Sequence, residues 1–403
     1  MPDTEGRDWI DLFVSETNRL NSPERFRLWS AIATVSGVLE RKTWSDLSGG
    51  EIYANLYLML VGGSASGKTQ SIKRAKELWM SIEEMSVAPD NVTKAALIRV
   101  LMQSQRVEEI EGVMLPFSSL SIPAQEFSVF CPEYSVEFNG VMTSLFDGPD
   151  THVDQRESDK GEKRVVTRPN LVVLGGTTPN SLNTYMPEVA WQDGFASRFI
   201  MVYSAPSKKK SLFSNDKFMW SERIVKKLRR IFDLKGAFTW DKEACIYLDE
   251  WHFKDCFPQP THSKLEFYNG RRSIFTVKLS MIAAVSRSGN LRVTVEDVER
   301  AKTWLLNAEL TMPDIFNAMT QKTDEDVIKE LHLYIWRLWT SSAKANRVPV
   351  AEPEAYKYLQ TRVTSEKIKP ILELAVNCGV LRKGPNANGW IPCDISTSSI
   401  ANV

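Results

Sequence analysis

Histidine and cysteine are rare in this chain: four and five among 403 residues. The cysteines, Cys131, Cys245, Cys256, Cys378 and Cys393, show neither paired nor metal-site spacing. That argues against a disulfide framework or a zinc site, and for free thiols in a reducing compartment. None of the histidines has a metal partner at useful spacing. An excess of one charge is also missing, with 50 Lys and Arg against 50 Asp and Glu and a pI near 6.9. Any nucleic-acid contact must therefore come from a local basic patch. No apolar run is long enough to span a membrane, and no cleavable apolar leader opens the sequence, so a cytoplasmic protein without membrane contact is expected.

What is present is a core-forming composition, 43% apolar and 25% charged, in a chain long enough for two or three units. Its organising stretch runs from Leu56 to Ser71. The apolar run Leu56-Tyr57-Leu58-Met59-Leu60-Val61 has the make-up of a buried strand. Gly62, Gly63, Ser64, Ala65, Ser66, Gly67, Lys68 and Thr69 then match G-x-x-x-x-G-K-[ST] without interruption. From Gln70 the pattern turns helical, with Ile72, Ala75, Leu78 and Trp79 at three- and four-residue spacing. The chemistry follows from the residue types. Glycines let successive N–H groups point at phosphate oxygens, and a helix start adds free amides and the positive end of its dipole. Lys68 is suited to the β- and γ-phosphates, and the Thr69 hydroxyl to Mg²⁺. These residues point to ATP, or less readily GTP, with Mg²⁺.

Around this motif the chain divides into an N-terminal helical segment (1–50), a P-loop ATPase core (51–207), a helical lid (208–320) and a terminal domain (321–403). In the core, a buried strand ending Ala124-Gln125-Glu126 is expected beside the phosphate loop. P-loop ATPases place acidic residues there, one to orient the metal through water and the next to polarise the attacking water. Glu126 holds the second position, and Gln125 stands where an aspartate is usual. The alternative is that Glu126 caps a following helix. Residues 151–168 read as a hairpin in which Lys160, Lys163 and Arg164 either meet a phosphate backbone or face solvent. The apolar run Leu171–Leu174 leads into Gly175-Gly176-Thr177-Thr178-Pro179-Asn180, a strand end where ligands sit in α/β folds. Thr177, Thr178 or Asn180 would sense a γ-phosphate there, or cap a turn. Arg198 precedes another apolar strand. An unpaired guanidinium is too costly to bury, so it forms either an ordinary salt bridge or an arginine finger serving a neighbour's nucleotide.

After Ser204 the pattern is helical, and Arg271 or Arg272 would reach the γ-phosphate from a lid. In the last 80 or so residues, three helical segments precede a hairpin with its turn near Gly384-Pro385, the proportions of a winged helix. Lys367, Lys369, Arg382 and Lys383 would meet DNA, unless the domain docks protein.

The order of these motifs resembles the DUF3987 family of phage and prophage P-loop proteins, described as primase- or helicase-like and related to AAA+ ring helicases. The resemblance covers about residues 20–310. It runs through Gly62–Thr69, the Glu126 strand, Leu145-Phe146-Asp147-Gly148, Leu174–Asn180, Gly194 and Ser197-Arg198-Phe199. The Ser-Arg-Phe phrase is also similar to the arginine-finger phrase of MCM helicases. In those and in superfamily 3 helicases, a hairpin before the sensor-1 strand carries a DNA-contacting lysine. The resemblance implies an α/β fold with an AAA+-like core, N-terminal helices, a helical lid and a C-terminal winged helix. It implies Asn180 as sensor 1, Arg198 as finger, Arg271 or Arg272 as sensor 2 and Lys160 as the pore lysine. The activity implied is an ATP-driven helicase or translocase, a homo-oligomer and most simply a hexamer, around single-stranded DNA. Its setting would be phage DNA replication in the cytoplasm of a bacterial host, with a primase or other replication proteins as partners. The rival expectations are a regulatory ATPase that loads a helicase or serves recombination or transposition, and a slow-turnover, nucleotide-organised assembly factor favoured by Gln125. Residues 1–50 leave no room for a primase catalytic site or an MCM-type collar.

Overall fold

The computed structural model describes residues 8–89, 94–131, 133–155, 163–192, 194–205, 209–211, 218–320, 324–341, 348–363, 365–385 and 388–393. The chain forms two units, Met1–Met319 and Thr320–Val403. Among the described residues no helix is long and apolar enough to cross a membrane.

The first unit is built on a five-stranded sheet whose strands, in chain order, are β1 (Tyr57–Val61), β2 (Gln105–Ile110), β3 (Val113–Ala124), β4 (Pro169–Thr177) and β5 (Phe199–Tyr203). Across the sheet the order is β2-β3-β4-β1-β5. β2 is antiparallel to β3, and every other pairing is parallel. β1 and β4 are buried at every residue, as strands in the middle of a doubly covered parallel sheet must be. β2, Gln-Arg-Val-Glu-Glu-Ile, is polar and lies at the edge, where charged side chains discourage further pairing. The two-residue turn into β3 has Glu111 at φ 53° and Gly112 at φ 80°, the two positive φ values a tight hairpin needs.

The strand that leads to Glu126 is not the lateral neighbour of β1. β4 lies between them, and its glycines show how the strand ends share the space. A Cβ on Gly175 would fall 2.7 Å from the Phe127 ring, and one on Gly176 would fall 2.6 Å from the Gln125 carbonyl oxygen. The chain leaving β3 thus crosses closely over the end of β4.

The helix that follows the phosphate-loop motif, Lys68–Trp79, packs against helix Glu24–Leu39. The Trp79 indole lies on Gly37, where a Cβ would come within 2.4 Å, and its N–H donates to Thr34 O at 3.1 Å. The described residues of 1–50 and of 208–319, read above as separate pieces, belong to this same unit and share its core. Trp9 Nε1 donates to Ile224 O at 3.0 Å, and Arg300 bonds Asp8 and Asp11. Helix Arg272–Ser288 is buried from Phe275 to Ser286. The region also carries short strands, one of them at Val293, where the sequence predicts a strand entering a helix. Gly236–Ala237 pairs in parallel with Thr43–Trp44, and Thr239–Trp240 with Arg292–Val293.

The second unit has its own core, including Val327, Leu331, Ile335, Ile371, Leu372 and Trp390. Helices Asp324–Ser341, Glu352–Gln360 and Ser365–Asn377 precede an antiparallel pair, Leu381–Lys383 with Trp390–Pro392. Val350 adds a bridge to Trp390.

Arg272 corrects an expectation. It is wholly buried, with Nε and Nη2 donating to the Glu309 carboxylate at 2.7 and 2.6 Å and further bonds to Cys256 O and Pro258 O. A guanidinium so committed is structural and does not sense a nucleotide. Arg272→Met would leave Glu309 buried without a counter-charge. The expected loss in urea denaturation is about 3–5 kcal/mol, largely recovered when Glu309→Leu is added. A loss below about 1 kcal/mol would contradict this assignment.

Candidate nucleotide site

The carboxyl ends of the parallel strands form one rim of the sheet. Val61 pairs with Thr177 and Tyr203 across β4-β1-β5. Gly62 N donates to Thr177 O, and Ser204 N to Val61 O, both at 3.2 Å. These bonds hold the start of the Gly62–Thr69 loop. Gly63, Ser64 and Ala65 are exposed while Ser66 is buried. Ala65 sits at φ 60° and Gly67 at φ 87°. Left-handed residues alternating in a short loop turn neighbouring N–H groups toward one side and make a concavity for anions. Gly67 admits no other residue, because a Cβ would lie 2.2 Å from Asn21 O and 2.6 Å from Ser22 Cα.

Helix Lys68–Trp79 begins with no side-chain cap. Its first amides and the positive end of its dipole are therefore available to an anion in the loop. Lys68 Nζ is folded over that loop, donating to Gly62 O and Gly63 O at 2.8 Å and to Ser66 Oγ at 3.2 Å. Burial lowers its pKa, and Glu126 partly offsets the effect. Thr69 is exposed at the second helical position. The donors, the concavity and the placed ammonium suit an anion such as a phosphate. Among the described residues no group of three or more His, Cys, Asp or Glu side chains could hold a metal alone. A Mg²⁺ ion would rest on the Thr69 hydroxyl, phosphate oxygens and water, as this ion commonly does.

Ala124 pairs with Gly175, and Gln125 and Glu126 follow past the end of β3 at the same rim as Thr177 and Val61. Glu126 is exposed, and it makes no cap bond to the short helix Phe127–Phe130. Gln125 is half-buried beside it. Thr178 is occupied as the cap of helix Pro179–Tyr185, accepting from Ser181 N at 3.3 Å. The Thr177 hydroxyl accepts from Tyr185. Of the three polar residues at the end of β4, Asn180 is the exposed one.

Arg198 lies at the opposite rim. It immediately precedes Phe199, which pairs with Tyr57 at the amino end of β1. The four steps from Tyr57 to Val61 span about 13 Å, so Arg198 cannot reach the phosphate loop of its own chain. The residue is only 6% exposed. Nε and Nη2 donate to the Asp147 carboxylate at 3.3 and 2.5 Å, and Nη1 donates to Gly194 O at 2.8 Å. The salt-bridge alternative is thus what the isolated chain contains. Arg271 stands at the same rim, with Nε donating to Ser197 Oγ at 3.2 Å and Nη1 3.6 Å from Asp147. Below them, Lys278 Nζ is buried and donates to Asn55 O and Oδ1 at 3.0 and 2.6 Å. Arg41 bonds Pro149 O, Pro169 O and Asp150. Asp147, Lys278 and Arg41 were not singled out from sequence. Only the Leu-Phe-Asp-Gly phrase around Asp147 drew notice, because a carboxylate's partner 51 residues away leaves no local pattern.

The hairpin strands Thr151–Gln155 and Lys163–Thr167 pair antiparallel, with Lys163 exposed and Arg164 half-buried. Lys160 lies outside the described residues. In the second unit Lys369 and Arg382 are exposed, whereas Lys367 pairs with Asp324 and Lys383 with Glu352. No model of a known protein family matches the chain, and no curated protein matches it. The functional reading rests on motif order and geometry.

Lys278 supplies a pH test of the cationic rim. Burial pushes its pKa down from 10.5 to about 7, with Asp147 offsetting part of the effect and Arg271, Arg198 and Arg41 adding to it. The fold favours the neutral amine, so unfolding takes up a proton between these two values. The penalty is complete below pH 7 and fades as pH rises toward 10.5. Lys278→Met removes this dependence. Wild type should gain stability on the variant between pH 7 and pH 10 in paired melting curves, and parallel curves would contradict the placement.

Proposed function

We propose that this chain is an ATP-hydrolysing motor subunit whose catalytic site is completed by a neighbouring copy. The observation that carries the reading is the pairing of a strained, uncapped anion loop at one rim with a guanidinium at the other. The loop amides and Lys68 bind the phosphates, and Glu126 accepts the proton of a water aimed at the terminal phosphorus. Mg²⁺, when bound, would neutralise phosphate charge and orient the leaving oxygen. Asn180 stands at the same rim, suited to orient the water. Arg198 of a second copy would stabilise charge developing in the transition state, a contribution of several powers of ten where an arginine serves in trans.

The strand order supports an AAA+-like core, with the sensor strand β4 between β1 and the strand ending at Glu126. On the resemblance, the assembly is a ring, most simply a hexamer, that draws single-stranded DNA past the 151–168 hairpins in phage replication. Phosphate contacts of that kind are independent of sequence and sensitive to salt. The second unit would serve as a winged helix for DNA or protein docking. One observation favours the slower alternative, a nucleotide-organised assembly factor. Gln125 is neutral where a metal-orienting carboxylate is usual, which weakens the hold on the cation.

Three variants test the chemistry. Lys68→Ala should lower ATP affinity at least about 100-fold, since it removes a buried charge from the phosphates. Glu126→Gln should bind ATP like wild type and lose turnover by about 100-fold or more. Arg198→Ala should bind ATP normally and lose turnover in the assembled state. DNA-stimulated hydrolysis supports the motor, and slow turnover indifferent to DNA supports the assembly factor. Undiminished hydrolysis by Arg198→Ala would remove the shared site.

A further inference from the structure

We infer that Arg198, Arg271 and Asp147 form a two-guanidinium anion clamp. In the isolated chain its own carboxylate fills the clamp, and in the assembled state it takes a phosphate of the nucleotide held by a second copy. This rests on the shared-site reading above and deepens it, because it makes Asp147 a built-in competitor for the neighbour's phosphate. It also moves Arg271 from its own nucleotide to the neighbour's.

The geometry makes the case. Asp147 accepts from Nε and Nη2 of Arg198, and its other partner is Arg271 Nη1 at 3.6 Å. One carboxylate thus lies between two forks that together match a phosphate's oxygens. The Asp147 side chain is 52% exposed and that of Arg271 is 29% exposed, against 7% for Arg198. Solvent reaches the clamp from the carboxylate side, the side from which another anion would enter. Arg271 is held at this rim from both sides of its sequence position. Its Nε donates to Ser197 Oγ. The next residue, Arg272, is locked into Glu309 and two backbone carbonyls. Together these contacts keep Arg271 beside Arg198, at the end of the sheet away from the phosphate loop, which rules out the sensor role in its own subunit.

Of the groups that face the clamp from the surrounding elements, the Arg41 guanidinium favours an incoming anion, while the Lys278 amine is pushed toward its neutral form and adds little. Lys278 and Arg41 stand behind it, and Asp150 pairs outward with Arg41. Burial and the adjacent Arg198 lower the pKa of Arg271, with Asp147 offsetting part of the effect. A dianionic phosphate oxygen group balances two guanidiniums better than one carboxylate does. Swapping one anion for the other exchanges partners without leaving a guanidinium unpaired.

The test uses the full chain with its own phosphate loop silenced by Lys68→Ala and inorganic pyrophosphate as the probe, followed by calorimetry. Adding Asp147→Asn, which keeps the side chain's shape and removes its charge, should tighten pyrophosphate binding by about ten-fold or more. Asp147→Glu, which keeps the charge, should remain at the Lys68→Ala level. Adding Arg271→Ala to the Asp147→Asn protein should abolish the gain. If Asp147→Asn folds poorly, Asp147→Ser is the second variant, with the same expectation. Equal affinity with and without the Asp147 charge, or a gain that survives Arg271→Ala, would overturn the clamp. Should that happen while Arg198→Ala still loses turnover, the clamp falls and the shared site stands.

Discussion

A parallel sheet has two unlike ends, and the remaining chemistry of this chain depends on that polarity. β1 delivers the Gly62–Thr69 loop at its carboxyl end, and Arg198 immediately precedes the amino end of β5, in register beside it. Their separation is fixed by strand rise, about 13 Å over the paired residues. No side-chain rotation brings the two groups of one chain together. If the guanidinium acts on a nucleotide at all, that nucleotide belongs to another copy.

Each end carries a cost that its surroundings hold in place. At the carboxyl end the loop keeps Ala65 at positive φ, and Gly67 is pressed against Asn21 and Ser22. Strain of this kind persists only where the neighbouring structure over-determines it. Here the Trp79 indole on Gly37 and the contact between Ser22 Oγ and Ser71 Oγ at 2.6 Å fix the helix that the loop feeds. At the amino end the cost is electrostatic. Arg41, Arg198 and Lys278 are all buried, and the first two carry partial compensation from Asp150 and Asp147. Arg272 and Glu309 form a further buried pair that shapes the turn presenting Arg271. Removing one member of such a pair costs more than the pair itself contributes.

Much of the local structure was legible in the residues. The strand, glycine-rich loop and helix over 56–79 follow from an apolar run, a motif and a change of period. The helices and hairpin after residue 320 follow from periodicity and turn residues. Strand β2 was missed because its alternation is weak and its exposed face polar, as suits an edge. The position of β4 between β1 and β3 could not be read, since chain order says nothing of lateral order in a crossover sheet. The partner of Arg198 was likewise out of reach. Arg271 and Arg272, adjacent and chemically identical, were separated only by burial, which gives one to Glu309 and the other to the rim.

The central claim, that two copies share one site, is tested most directly by mixing two inactive proteins. Lys68→Ala lacks a working phosphate loop and keeps its guanidiniums, whereas Arg198→Ala has the reverse defect. Each alone should be close to inactive as an ATPase. Mixed in equal amounts under assembling conditions, they should recover hydrolysis, because a Lys68→Ala subunit can complete the site of an Arg198→Ala neighbour. If the mixture is no more active than its parts, although the two proteins co-assemble, each chain works alone and the account is contradicted.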